Sequence, residues 1–175
     1  MQFIPYSVES AEKRTLHSFP GMTIACFQLR PESLGSVHIR SNDPYKHPAI
    51  RFNFLSDPTD VQTNIDGVKM MRKIVDAKPM DPYRDEEFYP GKSVSSDDEI
   101  EHFLREECET GYHPMGTCRM GRGPNAVVDD QLKVHGLQGL RVADASIFPT
   151  MPSGNTNAPC IMVGEKAADL IKNSY

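Results

Sequence analysis

The residue best suited to acid–base chemistry, His113, lies in the stretch of the sequence that is richest in turn-forming residues. Residues 111–121 read G-Y-H-P-M-G-T-C-R-M-G, and this density of glycine and proline is incompatible with a long helix or a central strand. We therefore predict a shaped loop that restricts the orientation of an imidazole. A general base needs such a ring, neutral and within hydrogen-bonding distance of the proton that it removes. A lone histidine in a loop is more often structural, so a partner group is needed.

Asn157 is the second residue that could do chemistry. It ends the polar turn Ser153–Asn157 and precedes a segment with helical periodicity. An asparagine in this position is usually a helix cap. A helix N-terminus also concentrates N–H donors and partial positive charge, so it can face an electron-rich atom of a cofactor. The residues alone leave both roles open.

Other reactive constellations are not supported by their spacing. A zinc set could be drawn from residues 102, 108, 113 and 118, which are His, Cys, His and Cys, but its spacing matches no common structural pattern. Cys118 and His113 lack a third group that would make a Cys–His nucleophile. A G-x-S-x-G elbow is absent. We predict no metal site.

Composition excludes two classes of partner. The 175 residues carry a formal net charge of −5, mixed along the chain, so no basic face for nucleic acid is expected. No apolar run reaches the roughly 18 residues that a transmembrane helix needs, and the N-terminus does not have the form of a signal peptide. The four cysteines form no C-x-x-C pair and are predicted to be reduced thiols of a cytoplasmic protein.

Strands are predicted where apolar residues run together or alternate. Residues 22–29 form one apolar run, and residues 36–40 and 50–54 alternate between apolar and polar side chains. The last two are expected to pair antiparallel, with one face exposed to water. Residues 140–143 are predicted to form a short strand, and residues 1 to about 20 are expected to be irregular.

Three helices are predicted from capping signals and periodicity. Asp57-Pro58 opens the first, which extends to about residue 77. Ser96 and Glu99 have capping-box spacing at the start of the second, which ends near residue 109. The third covers residues 158–171, and residues 80–92 are predicted to be a loop or lid. The fold class is therefore α+β, an antiparallel or mixed sheet with flanking helices.

Longer motifs give a family resemblance. The runs H-P-M-G-T-C-R-M-G, A-V-V-D, L-K-V-H-G-L-Q-G-L-R-V-A-D-A-S-I-F-P and G-N-T-N-A-P, with L-R-P-E-S-L-G-S-V-H-I-R-S-N-D-P upstream, resemble the C-terminal region of the glucose–methanol–choline (GMC) oxidoreductases. The resemblance covers residues from about 22 to the end. Within the family, these motifs are most similar to the choline dehydrogenase-like branch.

The resemblance implies an FAD enzyme that oxidises a primary alcohol, choline or a related one, to the aldehyde. His113 matches the family's base, and Asn157 matches the partner that hydrogen-bonds the substrate oxygen. Tyr112 matches a position lining the alcohol pocket. Asp144 and Ala145 match the strand end near the flavin diphosphate and ribityl groups, and Asn157 with Ala158 begins the helix directed at the flavin ring.

The resemblance also implies that this chain is a C-terminal fragment of a larger FAD-binding α/β plus substrate-domain enzyme. The G-x-G-x-x-G turn that holds the FAD pyrophosphate is absent. We expect residues 1–109 to be part of the substrate domain and residues 110–175 to supply the active-site loop, a closing strand and the C-terminal helix of the FAD domain. The N-terminal FAD-binding half would be the partner, and the fragment alone would be inactive and would not retain FAD.

Several alternatives stay open. The chain could be a stand-alone, non-catalytic ligand-binding module in which Asn157 is only a cap. Within the family, an oxidase or a lyase is an alternative to a dehydrogenase. The electron acceptor is not indicated, and attachment to the periphery of the inner membrane through a respiratory partner is compatible with a dehydrogenase.

Overall fold

The computed structural model describes residues 1–10, 13 and 15–174, which form two compact units. The first unit comprises Met1–Gln28 and Leu55–Glu109, and the second comprises Leu29–Phe54 and Thr110–Tyr175. The predicted assignment of residues 1–109 and 110–175 to two domains of a longer enzyme stays a prediction. Within this chain, residues 29–54 group with the C-terminal part.

The described residues contain six short strands, numbered β1 to β6 along the chain, with bounds Gln2–Ile4, Val8–Ser10, Thr15–Leu16, Thr23–Ala25, Ser36–His38 and Ala49–Arg51. They form three separate two-stranded antiparallel pairs, which are β1 with β4, β2 with β3, and β5 with β6. The fold is thus α+β, with the sheet divided into small pairs.

The prediction that residues 1 to about 20 are irregular was wrong, because β1, β2 and β3 lie there. Strands of two or three residues are too short to display an alternating pattern, and Pro5 and Pro20 dominated the local signal. The predicted strand over residues 22–29 is present only as β4.

The first helix, α1, spans Pro58–Val75 and begins as its sequence predicts. The Asp57 carboxylate accepts a hydrogen bond of 2.8 Å from the Thr59 N–H, and Pro58 occupies the first helical position, where a missing N–H costs nothing. Ile65 and Val68 are buried, as the helical periodicity indicated. The helix ends two residues earlier than expected.

The second helix, α2, spans Asp97–Glu107 and has the predicted capping box. It packs against α1, and five buried side chains form the core of the first unit: Val61, Ile65, Val68, Ile100 and Leu104. The segment between the helices, predicted to be a loop or lid, has no strand or α-helix among its described residues. Arg72 of α1 contacts this segment by donating hydrogen bonds of 3.0 and 2.8 Å to the Glu87 carboxylate.

The second unit contains the predicted antiparallel pair of β5 and β6, with Val37 opposite Ile50. Val37 and Ile50 are 45% and 53% exposed, so within the described residues the expected buried face is not covered. The alternation was also over-extended. β6 ends at Arg51, and Asn53 has a φ of 56°, which lies in the left-handed region and is incompatible with a continuing strand.

The third helix, α3, spans Asn157–Lys172 and packs on the core of the second unit. The buried members of this core are Val128, Leu132, Ile147, Phe148, Val163 and Ala167. The predicted strand over residues 140–143 was wrong, since only an isolated bridge joins Arg141 to Lys133. No helix in the part of the chain that the structure describes is long and apolar enough to cross a membrane.

Candidate active site

The loop around His113 is held in place by backbone hydrogen bonds to the segment that follows Asp144. The N–H groups of alternate loop residues donate to three consecutive carbonyl groups. The pairs are Gly116 to Ala145 at 3.3 Å, Cys118 to Ser146 at 2.9 Å, and Met120 to Ile147 at 2.7 Å. Because alternate residues are anchored, the loop has a fixed backbone although it belongs to no regular strand.

Two residues of this loop adopt left-handed backbone conformations. Gly116 has a φ of 80°, and a Cβ atom there would lie 3.2 Å from the Phe148 carbonyl oxygen, so glycine is favoured for two reasons. Tyr112 has a φ of 59°, which is uncommon for a residue with a side chain, and its ring is 74% exposed. The Tyr112 N–H donates to the Thr110 hydroxyl at 3.0 Å.

His113 is half-buried, and one of its ring nitrogens is engaged within the protein. Its Nδ1 lies 3.1 Å from the Oγ1 of Thr156, which is 7% exposed and immediately precedes α3. If Nδ1 carries the proton and donates to this hydroxyl, Nε2 has a free lone pair. The ring is then in the state that a general base requires.

Thr156 is the N-cap residue of α3, but its side chain does not cap the helix. The hydroxyl contacts His113 instead, so the backbone N–H groups of Asn157 and Ala158 do not donate a hydrogen bond to it. Asn157 and Ala158 are both exposed. A helix N-terminus whose N–H groups have no side-chain acceptor can offer these donors, and its positive dipole charge, to a group outside the unit.

Asp144 and Ala145 lie beside the same loop. The Asp144 carboxylate accepts a 2.8 Å hydrogen bond from the Ser146 N–H and so shapes the turn, while the Ala145 carbonyl holds Gly116. The structure thus connects Ala145 to the His113 loop, and His113 to the start of α3, by direct hydrogen bonds within one unit.

The sequence did not indicate Thr156. Among the described residues, no hydrogen bond joins His113 directly to Asn157, and the predicted pairing of these two side chains stays a prediction. The available signal was weak. A threonine just before a helix suggests a cap, and only its burial shows that its hydroxyl must find another partner.

Metal and thiol chemistry receive no support from the described residues. They contain no group of three His, Cys, Asp or Glu side chains that could hold a metal ion. Cys26, Cys108, Cys118 and Cys160 are free thiols, and burial raises the pKa of the Cys26 and Cys108 thiols.

Comparison with known proteins places these features in a family context. A sequence model described as GMC oxidoreductase, C-terminal part, matches residues 31–164. The chain is 42% identical over 170 residues to an oxygen-dependent choline dehydrogenase of Chromohalobacter salexigens, covering 97% of this chain and 30% of that protein. It is 48% identical over 151 residues to an alcohol dehydrogenase [acceptor] of Pseudomonas putida, covering 86% of this chain and 27% of the relative.

Solved structures agree with this similarity. An FAD-dependent oxidoreductase from Chaetomium thermophilum superposes with a TM-score of 0.78 at 35% identity, over 83% of this chain and 26% of that one. Pyridoxine 4-oxidase from Mesorbium loti superposes with a TM-score of 0.76 at 32% identity, over 81% of this chain and 28% of that one. The chain therefore spans less than a third of the length of these relatives.

Proposed function

The chain belongs to the GMC oxidoreductase family, and we propose that it supplies the C-terminal half of the active site of an FAD-dependent alcohol dehydrogenase. The proposed reaction oxidises a primary alcohol, choline or a related one, to the aldehyde. When bound, FAD would accept the hydride that leaves the carbinol carbon. The residues of this chain would bind the alcohol oxygen and move its proton.

His113 is the proposed general base. The 3.1 Å contact between its Nδ1 and the Thr156 hydroxyl is the observation that carries the proposal. It orients the ring, and when Nδ1 donates to the hydroxyl, Nε2 is left free to accept a proton. Removal of the hydroxyl proton by Nε2 would leave an alkoxide, from which hydride departs more readily. The Asn157 side-chain amide would donate a hydrogen bond to that developing negative charge.

The residues present fit a flavin. Asn157 and Ala158 are exposed at a helix N-terminus that lacks a side-chain cap, so their N–H groups can face an anionic ring edge. Asp144 and Ala145, which adjoin the His113 loop, are the proposed contacts of the ribityl and diphosphate region. FAD-dependent enzymes among the solved structures support this assignment.

Tyr112 is the proposed substrate contact. Tyr112 is an exposed residue next to His113, and its φ of 59° constrains its backbone. An aromatic face also attracts a quaternary ammonium group, which suits choline. The choline dehydrogenases among the relatives support this class of substrate.

The first experiment replaces His113 by alanine in a longer polypeptide, which contains this chain together with the proposed FAD-binding half. We expect kcat to fall by roughly 10²- to 10⁴-fold, the usual contribution of a general base, while FAD remains bound. His135→Ala is the matched control, because among the described residues the exposed His135 ring has a hydrogen bond only to the Gly121 carbonyl, at 2.9 Å. Unchanged alcohol oxidation by the flavin-loaded His113→Ala variant would remove His113 from this role.

A further inference from the structure

A hydrogen bond in the second unit joins two segments that are 123 residues apart in the chain. The Arg30 Nε–H donates to the Ser153 hydroxyl oxygen over 2.7 Å. Arg30 lies on the segment that leads into β5, and Ser153 lies in the turn that precedes α3. Because the donor carries a full charge, this bond is stronger than one between two neutral groups.

The turn of residues 151–156 is here called the Ser153 turn. It has no strand or helix, and a Cβ atom on its glycine would meet no described atom within 4 Å. One backbone hydrogen bond of 2.6 Å closes the turn internally. Among the described residues, its two side-chain hydrogen bonds to distant segments are the one from Arg30 and the one between Thr156 and His113. Arg30 is therefore the second anchor of this turn.

The segment that carries Arg30 is itself held in place. A proline follows Arg30 and restricts its backbone to extended conformations. Further along the segment, a Cβ atom at Gly35 would collide with the Arg51 carbonyl oxygen at the end of β6, so only glycine allows this close approach. The Asn53 side-chain amide also donates to the Leu34 carbonyl at 3.1 Å. Arg30 can therefore act as a fixed point for the Ser153 turn.

The Ser153 turn leads directly into the candidate active site. Thr156 lies three residues after Ser153, and its hydroxyl is 3.1 Å from Nδ1 of His113. Asn157, the first residue of α3, comes next. Three residues span at most about 11 Å, so little chain is available to absorb a shift of Ser153 before it reaches Thr156 and Asn157. A misplacement of about 1 Å in a catalytic site can lower the rate greatly.

We propose that Arg30 is a positioning residue for this site. Its guanidinium holds the Ser153 turn in place. The Thr156 hydroxyl thereby stays in contact with the His113 ring, and Asn157 keeps its position at the start of α3. Arg30 acts through Ser153 rather than by touching the alcohol or the flavin. This inference rests on the proposed function, in which His113 and Asn157 act on the alcohol oxygen.

The test removes each partner of the contact in the longer polypeptide. Arg30→Met takes away the donor and Ser153→Ala takes away the acceptor, and both leave the candidate catalytic groups unchanged. We expect kcat to fall roughly tenfold in either variant, the rate equivalent of a hydrogen bond from a charged donor, while FAD retention stays close to wild type. Amide hydrogen exchange in residues 151–160 should become faster.

Two further variants serve as controls. Arg122→Met removes the same guanidinium from a side chain that is 93% exposed and whose ion pair with Asp130 is long, at 3.8 Å. It should keep the kcat and the hydrogen exchange of wild type. Ser153→Thr retains the hydroxyl and should recover most of the activity that Ser153→Ala loses.

A double variant decides whether Arg30 and Ser153 act together. If their contact carries the effect, Arg30→Met combined with Ser153→Ala should lower kcat no further than either change alone. Losses that multiply in the double variant would overturn the proposal. A Ser153→Ala variant with wild-type kcat and wild-type hydrogen exchange would do the same.

Hydrogen exchange also separates this inference from the proposed function. If the wild-type polypeptide does not oxidise alcohols but both single variants accelerate exchange in residues 151–160, the anchoring by Arg30 is supported and the proposed function fails. If the wild type oxidises alcohols and Arg30→Met and Ser153→Ala keep its kcat, the proposed function stands and the positioning role is rejected.

Discussion

At the scale of single residues, the hydroxyl of Thr156 holds the His113 ring through the 3.1 Å contact with Nδ1. Thr156→Val keeps the shape of the side chain but leaves Nδ1 without its partner. Since a hydrogen bond of this kind contributes about 1 kcal/mol, we expect kcat to fall roughly fivefold.

Two controls accompany this variant in steady-state measurements on the longer polypeptide. Thr156→Ser restores the hydroxyl and should recover most of the activity. Thr63→Val makes the same change on an exposed position of α1, where the hydroxyl bonds only to the Thr59 carbonyl. A kcat for Thr156→Val that equals that of wild type would show that the hydroxyl does not position the ring.

The chemistry-bearing residues differ in how far the sequence could reveal them. His113 was predictable because glycine and proline around it dictate a loop that presents the ring. Thr156 was not, because its contact joins residues 43 apart and depends on how the loop is anchored to the segment after Asp144. Local patterns carry no information about that anchoring.

At the scale of elements, the start of α2 depends on the charge of Glu99. Its carboxylate accepts hydrogen bonds of 2.9 Å from the N–H groups of Ser95 and Ser96, and these bonds lower its pKa to about 2. A depressed pKa means that the stabilisation is present above the unfolded-state value of about 4.3 and is lost as the pH falls towards 2. Glu99→Gln should therefore have a lower free energy of unfolding than wild type at neutral pH, and this difference should shrink as the pH falls.

Chemical denaturation at pH values between about 7 and 2 measures this effect. Glu106→Gln provides the control, because it removes the same charge from an exposed position of the same helix, away from the cap. If the difference in the free energy of unfolding between wild type and Glu99→Gln does not vary with pH, the charge of the Glu99 carboxylate does not contribute to the cap.

The elements also explain why helices were predicted better than strands. The starts of α1, α2 and α3 were located within one residue because capping by Asp57 and Ser96, and the onset of periodicity near Asn157, are local properties. Strand pairing depends on distant residues. β1, for example, exists through its pairing with β4, some 20 residues later. The apolar run that contains β4 was predicted, but the three residues of β1 are too few to show a strand pattern.

At the scale of the whole molecule, the second unit leaves an unusual amount of apolar surface uncovered. Several exposed large apolar side chains of this unit lie on or beside the hairpin of β5 and β6. They are Leu34, Val37, Ile39, Ile50, Phe52 and Phe54. The Phe52 and Phe54 rings stack at a centroid distance of 5.1 Å. Contiguous apolar patches on soluble proteins are usually interaction sites, so we expect this surface to contact further polypeptide.

The proposed function leads to a prediction about the flavin. In that proposal the chain offers the start of α3, Asp144 and Ala145 to the cofactor, but a dinucleotide is held chiefly through its pyrophosphate at a glycine-rich turn, and Gly121-x-Gly123 lacks the third glycine of that motif. We expect the 175-residue segment to be colourless and to self-associate through its apolar surface. The longer polypeptide, purified in the same way, should be yellow and monodisperse. Absorption spectra and light scattering on both would decide, and stoichiometric flavin in the segment alone would show that this half of the site binds FAD unaided.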